Sequence, residues 1–380
     1  MTVSNKSIRG SLRSLTVILA VAAMVLVSCR DEETDGMKGI LYPVVVSNME
    51  TVIETRALTG SYSALTTSGS SIKAYAVAFD GQDSRLTAQD DKEGVFTRTA
   101  NNTWASSLEV DNGNKYNIYT FSPTIPSFPA SAVAFNYNNG TPRLTFTDLD
   151  VITLVDPLVG IAAAGKPQNT PPTASDLTRG SYSTGVVDIV TANKTKVAIG
   201  MDHLYAKATI SFKVDEKYNT IRTIKVTSAT VTIAQNKLSG TSTYTYAKNG
   251  GDDASVSWSN THNGSAYEFD LMDCDNTKTD NIESSGEIIL GTDAKEFGWF
   301  CFNPSIKPNL TLKVTYDVYD KNNTTVTKTR SGQVVVNNNL LRKLPQSPAA
   351  GNDYKITVKV NPTYLYQLSD GDAELELEIE

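Results

Sequence analysis

Residues 203–214 read HLYAKATISFKV, and this stretch decides the fold class of the chain. Every second residue from Leu204 to Val214 is apolar, while tyrosine, lysine, threonine and serine fill the alternate positions. Side chains of a β-strand point alternately to its two faces, so a period of two predicts a strand with one buried face. We therefore expect an extended strand from His203 to Val214.

The same alternation recurs in residues 310–319 and 354–360, and clusters of asparagine, glycine and proline separate the shorter apolar runs. One of these clusters, Asn138-Asn139-Gly140, predicts a turn. In residues 224–233 the apolar parity slips near Ser228 and Ala229, which predicts a β-bulge. No long stretch shows a 3.6-residue period. Many short strands joined by polar turns predict an all-β chain of two tandem antiparallel β-sandwich domains, with a boundary near residues 191–200.

The composition excludes several classes of function. The 380 residues include 34 basic and 41 acidic side chains, a formal net charge of −7, which argues against nucleic acid or an anionic lipid surface as partner. The chain has only two histidines and three cysteines, and it has no recognisable catalytic or phosphate-binding motif. We expect no catalysis, no metal site and no cofactor.

The N-terminus has the features of an export signal. Lys6, Arg9 and Arg13 precede an uncharged apolar run over residues 15–27, which is too short to span a bilayer. These features predict that residues 1–28 are a signal peptide. Leu26-Val27-Ser28-Cys29 is similar to a bacterial lipobox, which predicts acylation of Cys29, including palmitate, and a membrane anchor through lipid alone. The alternative is ordinary signal cleavage, with Cys29 as a bystander.

The other two cysteines leave two interpretations open. Cys274 and Cys301 could pair in an oxidising compartment. Cys301 also lies in the apolar run Phe297-Gly298-Trp299-Phe300-Cys301-Phe302, which is equally compatible with a buried free thiol.

The two ends of the exported chain each carry a strand-like segment. Residues 40–46 read ILYPVVV, and the polar stretch around Arg56 follows them. At the other end residues 373–380 read AELELEIE, in strict alternation. Leu375, Leu377 and Ile379 would each contribute about 1.5–3 kcal/mol on full burial. Such a strand can close its own sheet or add to the sheet of another molecule.

Several of these motifs occur in the order found in a known family. They are the lipobox at Cys29, the Thr55-Arg56-Ala57 step, the HLYAKA strand at 203–208, and NDYKITV at 352–358 followed by PTYLY at 362–366. The chain resembles, over nearly its whole length, the fimbrillins, which are lipoprotein pilins of the type V pili of Bacteroidales. The resemblance implies two transthyretin-like β-sandwiches, at residues 57–195 and 196–380, and a tether with a removable first strand at 29–56.

The resemblance also implies an assembly mechanism. An arginine- or lysine-specific protease would cut after Arg56 and leave Ala57 as the new N-terminus. The cut would remove a first strand that contains Ile40, Val44 and Val46. A donor strand with Ala373, Leu375, Leu377 and Ile379 facing inward would then fill the groove of a neighbouring subunit. The partners would be other fimbrial subunits, and the surface ligand would be unknown.

The location implied is a lipid-anchored outer-membrane precursor that later joins a cell-surface fimbrium. Two alternatives remain at this point. Arg56 could be an ordinary loop residue and the tail an edge strand of its own domain. The chain could also be a monomeric surface lipoprotein that binds glycans through an aromatic platform, for which Trp104, Trp258 and Trp299 are the candidates.

Overall fold

We describe the fold from a computed structural model of the chain. The residues that it describes are 41–43, 45–51, 69–82, 84–100, 104–111, 114–124, 130–162, 187–188, 196–246, 254–259, 261–271, 288–306, 308–321, 328–336, 340–341, 344–345, 348–362 and 373–379.

These residues form strands almost throughout. Strands of the first half are β1 (Leu41–Pro43), β2 (Val45–Thr51), β3 (Ser71–Phe79), β4 (Lys92–Arg98), β5 (Trp104–Ser106), β6 (Glu109–Asp111), β7 (Lys115–Ser122), β8 (Ala132–Asn138), β9 (Thr141–Asp150), β10 (Ile152–Thr153), β11 (Leu158–Ala162), β12 (Val187–Asp188) and β13 (Lys196–His203).

Strands of the second half are β14 (Ala206–Lys213), β15 (Arg222–Ile233), β16 (Lys237–Thr245), β17 (Ser255–Ser257), β18 (Thr261–Asn263), β19 (Tyr267–Asp270), β20 (Ile288–Ile289), β21 (Lys295–Phe302), β22 (Leu310–Asp320), β23 (Lys328–Val336), β24 (Asp353–Pro362) and β25 (Ala373–Ile379). A 3-10 turn covers Ala88–Asp90, and a short helix, α1, covers Glu216–Ile221. The Asp215 side chain caps α1 by accepting a hydrogen bond from the Lys217 amide at 2.9 Å.

The strands form four main sheets. Sheet 1 has the order β2-β13-β11-β7-β3-β4-β5, with β12 also paired to β7; sheet 2 has the order β17-β16-β9-β8, with β18 also paired to β16. Sheet 3 has the order β10-β21-β14-β24-β25, and sheet 4 has the order β19-β15-β22-β23, with β20 also paired to β15. A separate two-stranded pair joins β1 to β6. Most neighbours are antiparallel, but β2 with β13 and β14 with β24 are parallel.

The predicted alternation is confirmed where the sequence pattern is longest. In β14 the apolar parity is buried while Lys207, Ser211 and Lys213 stay at the surface of the strand, although Thr209 is also buried. In β22 all five predicted inward residues, from Leu310 to Val318, are buried. The predicted strand start is wrong, because Leu204 and Tyr205 interrupt the extended run and His203 instead ends β13.

Two predicted local features are also confirmed. The β15–β22 pairing shifts register between Val226 and Ser228, so a bulge lies next to the predicted position. The predicted turn before β9 has Asn139 at φ 50° and Gly140 at φ 74°. Positive φ at both central residues is typical of a tight hairpin turn, which here joins β8 directly to β9.

Sheets 3 and 4 pack face to face around one apolar core, as the all-β sandwich prediction requires. Sheet 3 contributes Ile210, Phe212 and Val358, and sheet 4 contributes Val231 and Leu312, all fully buried. The ring centroids of Phe212 and Phe297 lie 4.4 Å apart. Burial of large side chains on both inner faces supplies the main favourable free energy of this sandwich.

Sheets 1 and 2 form a second layered core that is rich in aromatic rings. Tyr75 and Tyr119 of sheet 1 contact Phe135 of sheet 2, and Tyr119 also contacts Tyr246. Strands β16 to β18 follow β14 in the sequence, yet they complete sheet 2, because β16 pairs with β9 and both β17 and β18 pair with β16. Strand pairing therefore crosses the predicted domain limit at residues 195 and 196, and that limit stays a prediction.

Candidate functional site: the two terminal strand edges

The N-terminal edge of sheet 1 is formed by β2, which runs parallel to β13. The pairs extend from Val45 opposite Lys196 to Thr51 opposite Met201, with a register shift between Val197 and Ala198. Among the described residues β13 is the only sheet partner of β2. The first strand of sheet 1 is thus hydrogen-bonded through one interrupted parallel ladder, and it also lies beside β5.

The surface that β2 borders is strongly apolar. Ile199 and Met201 of β13 are fully buried and belong to a cluster with Ile118 and Leu158 of the same sheet. The Thr120 hydroxyl lies 3.2 Å from the Met201 sulfur. Because β13 pairs with β11 on its other side, β13 would remain in the sheet if β2 were removed.

The structure describes only part of the predicted removable strand. Val46 lies in β2 opposite Val197, while Ile40 and Val44 lie outside the described residues. Leu41–Pro43 form the separate strand β1, which pairs with β6 instead of sheet 1. The segment that borders β13 continues past Val46 to Thr51.

The predicted processing residues also lie outside the described part of the chain. Cys29, Arg56 and Ala57 belong to this group, so lipidation and cleavage stay predictions. The described strand β2 ends at Thr51, which precedes Arg56 in the sequence.

The C-terminal edge of sheet 3 is formed by β25, which runs antiparallel to β24 without a register shift. The register places Leu375 opposite Val360, Leu377 opposite Val358, Ile379 opposite Ile356 and Ala373 opposite Pro362. Val360, Val358 and Ile356 are fully buried. The four predicted donor residues thus share one parity, and three of them lie opposite core residues of their own chain.

A buried hydrogen-bonded pair lies at the junction between β13 of sheet 1 and β14 of sheet 3. His203 Nδ1 and Asp156 Oδ2 are 2.6 Å apart, and their side chains are 4% and 9% exposed. Asp156 precedes β11, so the pair ties the end of β13 to the start of its neighbour. The sequence does not predict this contact, because 47 residues separate Asp156 from His203.

Tyr205 extends this junction towards sheet 2. Its hydroxyl donates a hydrogen bond to the backbone carbonyl of Asp150, and its own carbonyl accepts from the Gly351 amide. Burial raises the pKa of the Tyr205 phenol well above its usual value. Burial also raises the pKa of the Asp150 carboxyl, and the ion pair with Lys237 at 2.7 Å opposes that shift.

The remaining candidate residues do not converge on a reactive centre. Cys301 is fully buried, and Cys274 lies outside the described residues, so their pairing stays a prediction. His262 is exposed in β18. Trp258 and Trp299 pack against the aromatic core, and Trp104 packs against the cluster beneath β13. Core packing is the interpretation that these contacts favour.

The described residues contain neither a cluster of metal-ligating side chains nor a helix that could cross a membrane. No group of three or more histidine, cysteine, aspartate or glutamate side chains among them could hold a metal ion. Within that same part of the chain, no helix is long and apolar enough to cross a bilayer.

Comparisons with known proteins give similarity at the level of structure. No protein-family model and no curated protein sequence matches the chain. A fimbrial protein from Bacteroides vulgatus is similar over 89% of this chain and 99% of that chain, with 16% identity and a TM-score of 0.46.

Two proteins from Porphyromonas gingivalis are similar over a comparable length. The fimbrial anchor protein Mfa2 covers 90% of this chain and 97% of its own, with 10% identity and a TM-score of 0.27. The tip fimbrial protein Mfa3, with a C-terminal truncation, covers 89% and 97%, with 10% identity and a TM-score of 0.31. The structural neighbours of the chain thus include fimbrial proteins of Bacteroides and Porphyromonas, at identities and TM-scores too low to assign it to their family.

Proposed function

We propose that the chain is a structural subunit of a surface fimbrium, exported as a lipoprotein and polymerised by exchange of terminal strands. The observation that carries this proposal is the position of β2. It forms an edge of sheet 1, it pairs with β13 alone among the described residues, and it precedes Arg56 in the sequence. A cut after Arg56 would separate β2 from the chain that follows Ala57.

Loss of β2 would open a specific acceptor site. The outer backbone groups of β13 would lose their ladder, and the buried Ile199 and Met201 would lose a neighbouring strand. Unpaired backbone groups and exposed aliphatic surface both favour capture of a new strand. Shielding by β2 until export is complete would prevent premature assembly.

The donor in this proposal is β25 of another subunit, with Ala373, Leu375, Leu377 and Ile379 on its inward face. A shift of one residue would turn the glutamates inward, so parity fixes the register. Since β25 borders β24 in its own sheet, assembly exchanges one ladder for another. Assembly therefore requires that β25 pair more favourably with the acceptor edge of another subunit than with β24 of its own.

The remaining parts of the proposal follow from the sequence. Lipid on Cys29 would hold the precursor at the outer membrane, and cleavage after Arg56 would free it for the cell-surface fimbrium. The partners are other fimbrial subunits, and the role is adhesion without catalysis. The glycan-binding alternative has no comparable support, because Trp258 and Trp299 pack into the aromatic core.

Limited trypsin treatment of the chain from residue 30 onward tests the proposal. Cleavage after Arg56 should convert monomers into ladders that survive mild SDS. An Arg56→Ala variant should form no SDS-resistant ladder, and a Leu375→Asp/Leu377→Asp variant should be cut but form no ladder. Glu376→Gln, on the opposite parity of the same strand, should still form ladders. A chain that is cut after Arg56, loses residues 30–56 and forms no SDS-resistant ladder would contradict strand exchange.

A further inference from the structure

The geometry points to a third assembly surface, which lies apart from both terminal edges. We propose that the outer edge of β8 pairs antiparallel with β8 of a second copy, so that sheet 2 continues across a twofold axis. Strand β8 is the last strand of sheet 2, and within the described part of the chain its sheet partner is β9. This inference goes beyond the proposed function and needs no proteolysis.

The sequence of β8 lacks the features that protect exposed edges. It reads AVAFNYN, with no charge, no proline and no glycine, and its pairing with β9 shows no register shift. Folded proteins usually protect an edge strand with charged side chains, proline or a bulge. The edge strand β25 shows the contrast, because glutamates alternate along it.

The inner face of β8 is only partly covered. Val133, Phe135 and Tyr137 pack against the aromatic core but remain half-buried, while the alternate residues are exposed. The Phe135 ring centroid lies 4.6 Å from that of Tyr75 and 5.5 Å from that of Tyr119. A strand added beside β8 would extend this layer and cover the open side of these three side chains.

A second copy of β8 fits this edge better than an arbitrary strand. With the twofold axis at Phe135, Val133 lies opposite Tyr137 of the second copy, and Phe135 lies opposite itself. On the outer face Ala134 lies opposite Asn136 of the second copy. Apolar residues meet apolar residues on the inner face, and small uncharged residues meet on the solvent side, so the alternation matches on both faces.

The distribution of charge is also compatible with a second copy of β8 at this edge. The chain has a formal net charge of −7, so two copies repel each other over most approaches. The seven residues of β8 carry no charge, and Arg143 lies opposite Asn136 on the neighbouring strand β9. Two acidic chains can therefore meet at this edge without placing like charges opposite each other.

Sedimentation velocity on the uncleaved chain from residue 30 onward tests the proposal. We expect reversible dimers as concentration rises, with a dissociation constant that Ala134→Lys raises at least about tenfold, since the substitution puts an ammonium group at the pairing edge. The matched control is Thr241→Lys, on an interior strand of the same face, which should leave the dimer intact. Equal melting temperatures for the two variants confirm folding.

Chemical cross-linking tests the register. In a Cys274→Ser background, Ala134→Cys with Asn136→Cys should form an oxidised dimer, because each new thiol faces its partner across the axis. Thr241→Cys with Thr243→Cys, two residues apart on β16, should not. A Leu375→Asp/Leu377→Asp variant should dimerise normally, which separates this surface from the proposed strand exchange. A chain that stays monomeric at all concentrations, or equal cross-linking of the two cysteine pairs, would overturn the proposal.

Discussion

The two terminal strands of this chain lie at sheet edges, but they are attached in different ways. Strand β2 runs parallel to β13, and its register breaks between Val197 and Ala198. Strand β25 runs antiparallel to β24 through seven consecutive pairs without a break. Parallel pairing is slightly less stable per residue than antiparallel pairing, and a bulge disrupts the ladder locally.

This difference bears on which strand leaves its sheet more readily. The sequence of β25 alternates strictly, whereas β2 reads VVSNMET and has no sustained alternation. A strand whose parity matches a buried row gains burial along its whole length. We infer that β2 is held less tightly by β13 than β25 is held by β24. This order suits the proposed assembly, because β2 must leave β13 before another strand can bind there. Strand β25 would leave β24 only if its pairing with another subunit were more favourable.

Removal of the two strands in separate variants tests this asymmetry most directly. Deletion of residues 373–380 uncovers Ile356, Val358 and Val360 and should lower the free energy of unfolding by about 4 kcal/mol or more. A chain that begins at Ala57 should lose clearly less. Urea denaturation of both variants below the concentration at which subunits associate gives the comparison. Equal losses, or a larger loss from the N-terminal deletion, would remove the basis for the asymmetry.

The second prediction concerns what keeps β13 in place when β2 leaves. Asp156→Ala removes the carboxylate 2.6 Å from His203 Nδ1 in a site where both side chains are almost fully buried. Loss of one partner from a buried hydrogen-bonded pair costs about 1–3 kcal/mol, because the other polar group is left without its hydrogen bond.

An exposed ion pair supplies the control. Lys73 and Glu93 lie 2.8 Å apart, with the Glu93 side chain 61% exposed, so Glu93→Gln should change stability by less than about 1 kcal/mol. Chemical denaturation at neutral pH measures both variants. Similar small losses for Asp156→Ala and Glu93→Gln would show that the junction does not anchor β13.

The strand pattern of the sandwich cores could be predicted from the sequence because one physical rule governs it. In β22 and β24 the buried apolar residues lie two positions apart, so parity identifies the core face, although the polar residues Asp317 and Thr357 are buried on the opposite parity. The bulge in β15 was visible for the same reason, as a slip of that parity. Local turn chemistry likewise identified the Asn139-Gly140 hairpin.

Features that depend on distant contacts could not be predicted. The sequence gives no sign that Leu41–Pro43 joins β6 while Val45–Thr51 joins β13, because both segments are simply apolar and strand-like. The break at Leu204 and Tyr205 preserves the apolar parity, so the pattern concealed the boundary between β13 and β14. The partner of His203 is fixed by the path of the chain before β11, which periodicity does not encode.

The smallest predicted effect is a pH dependence at the junction between sheets 2 and 3. Burial raises the pKa of Asp150 above its ordinary value, so the folded state holds the proton more tightly than the unfolded state does. Its contribution to stability is therefore greatest below the ordinary carboxyl pKa and falls as pH rises towards the folded value. Because Lys237 opposes the shift, the loss should be smaller than that of a buried carboxyl without a cationic partner.

Two variants isolate the contribution of this carboxyl from the other titrating groups. Asp150→Asn should remove it and flatten the difference in urea midpoint between acid and neutral pH. Lys237→Met should steepen that difference, because it removes the ammonium group 2.7 Å from Asp150 Oδ1 and leaves burial unopposed. Identical pH profiles for the parent and both variants would mean that solvent reaches Asp150 in the folded chain. In that case the Asp150 carboxyl would be as accessible as a residue at a sheet edge. The junction between sheets 2 and 3 would then differ less from the terminal strands β2 and β25.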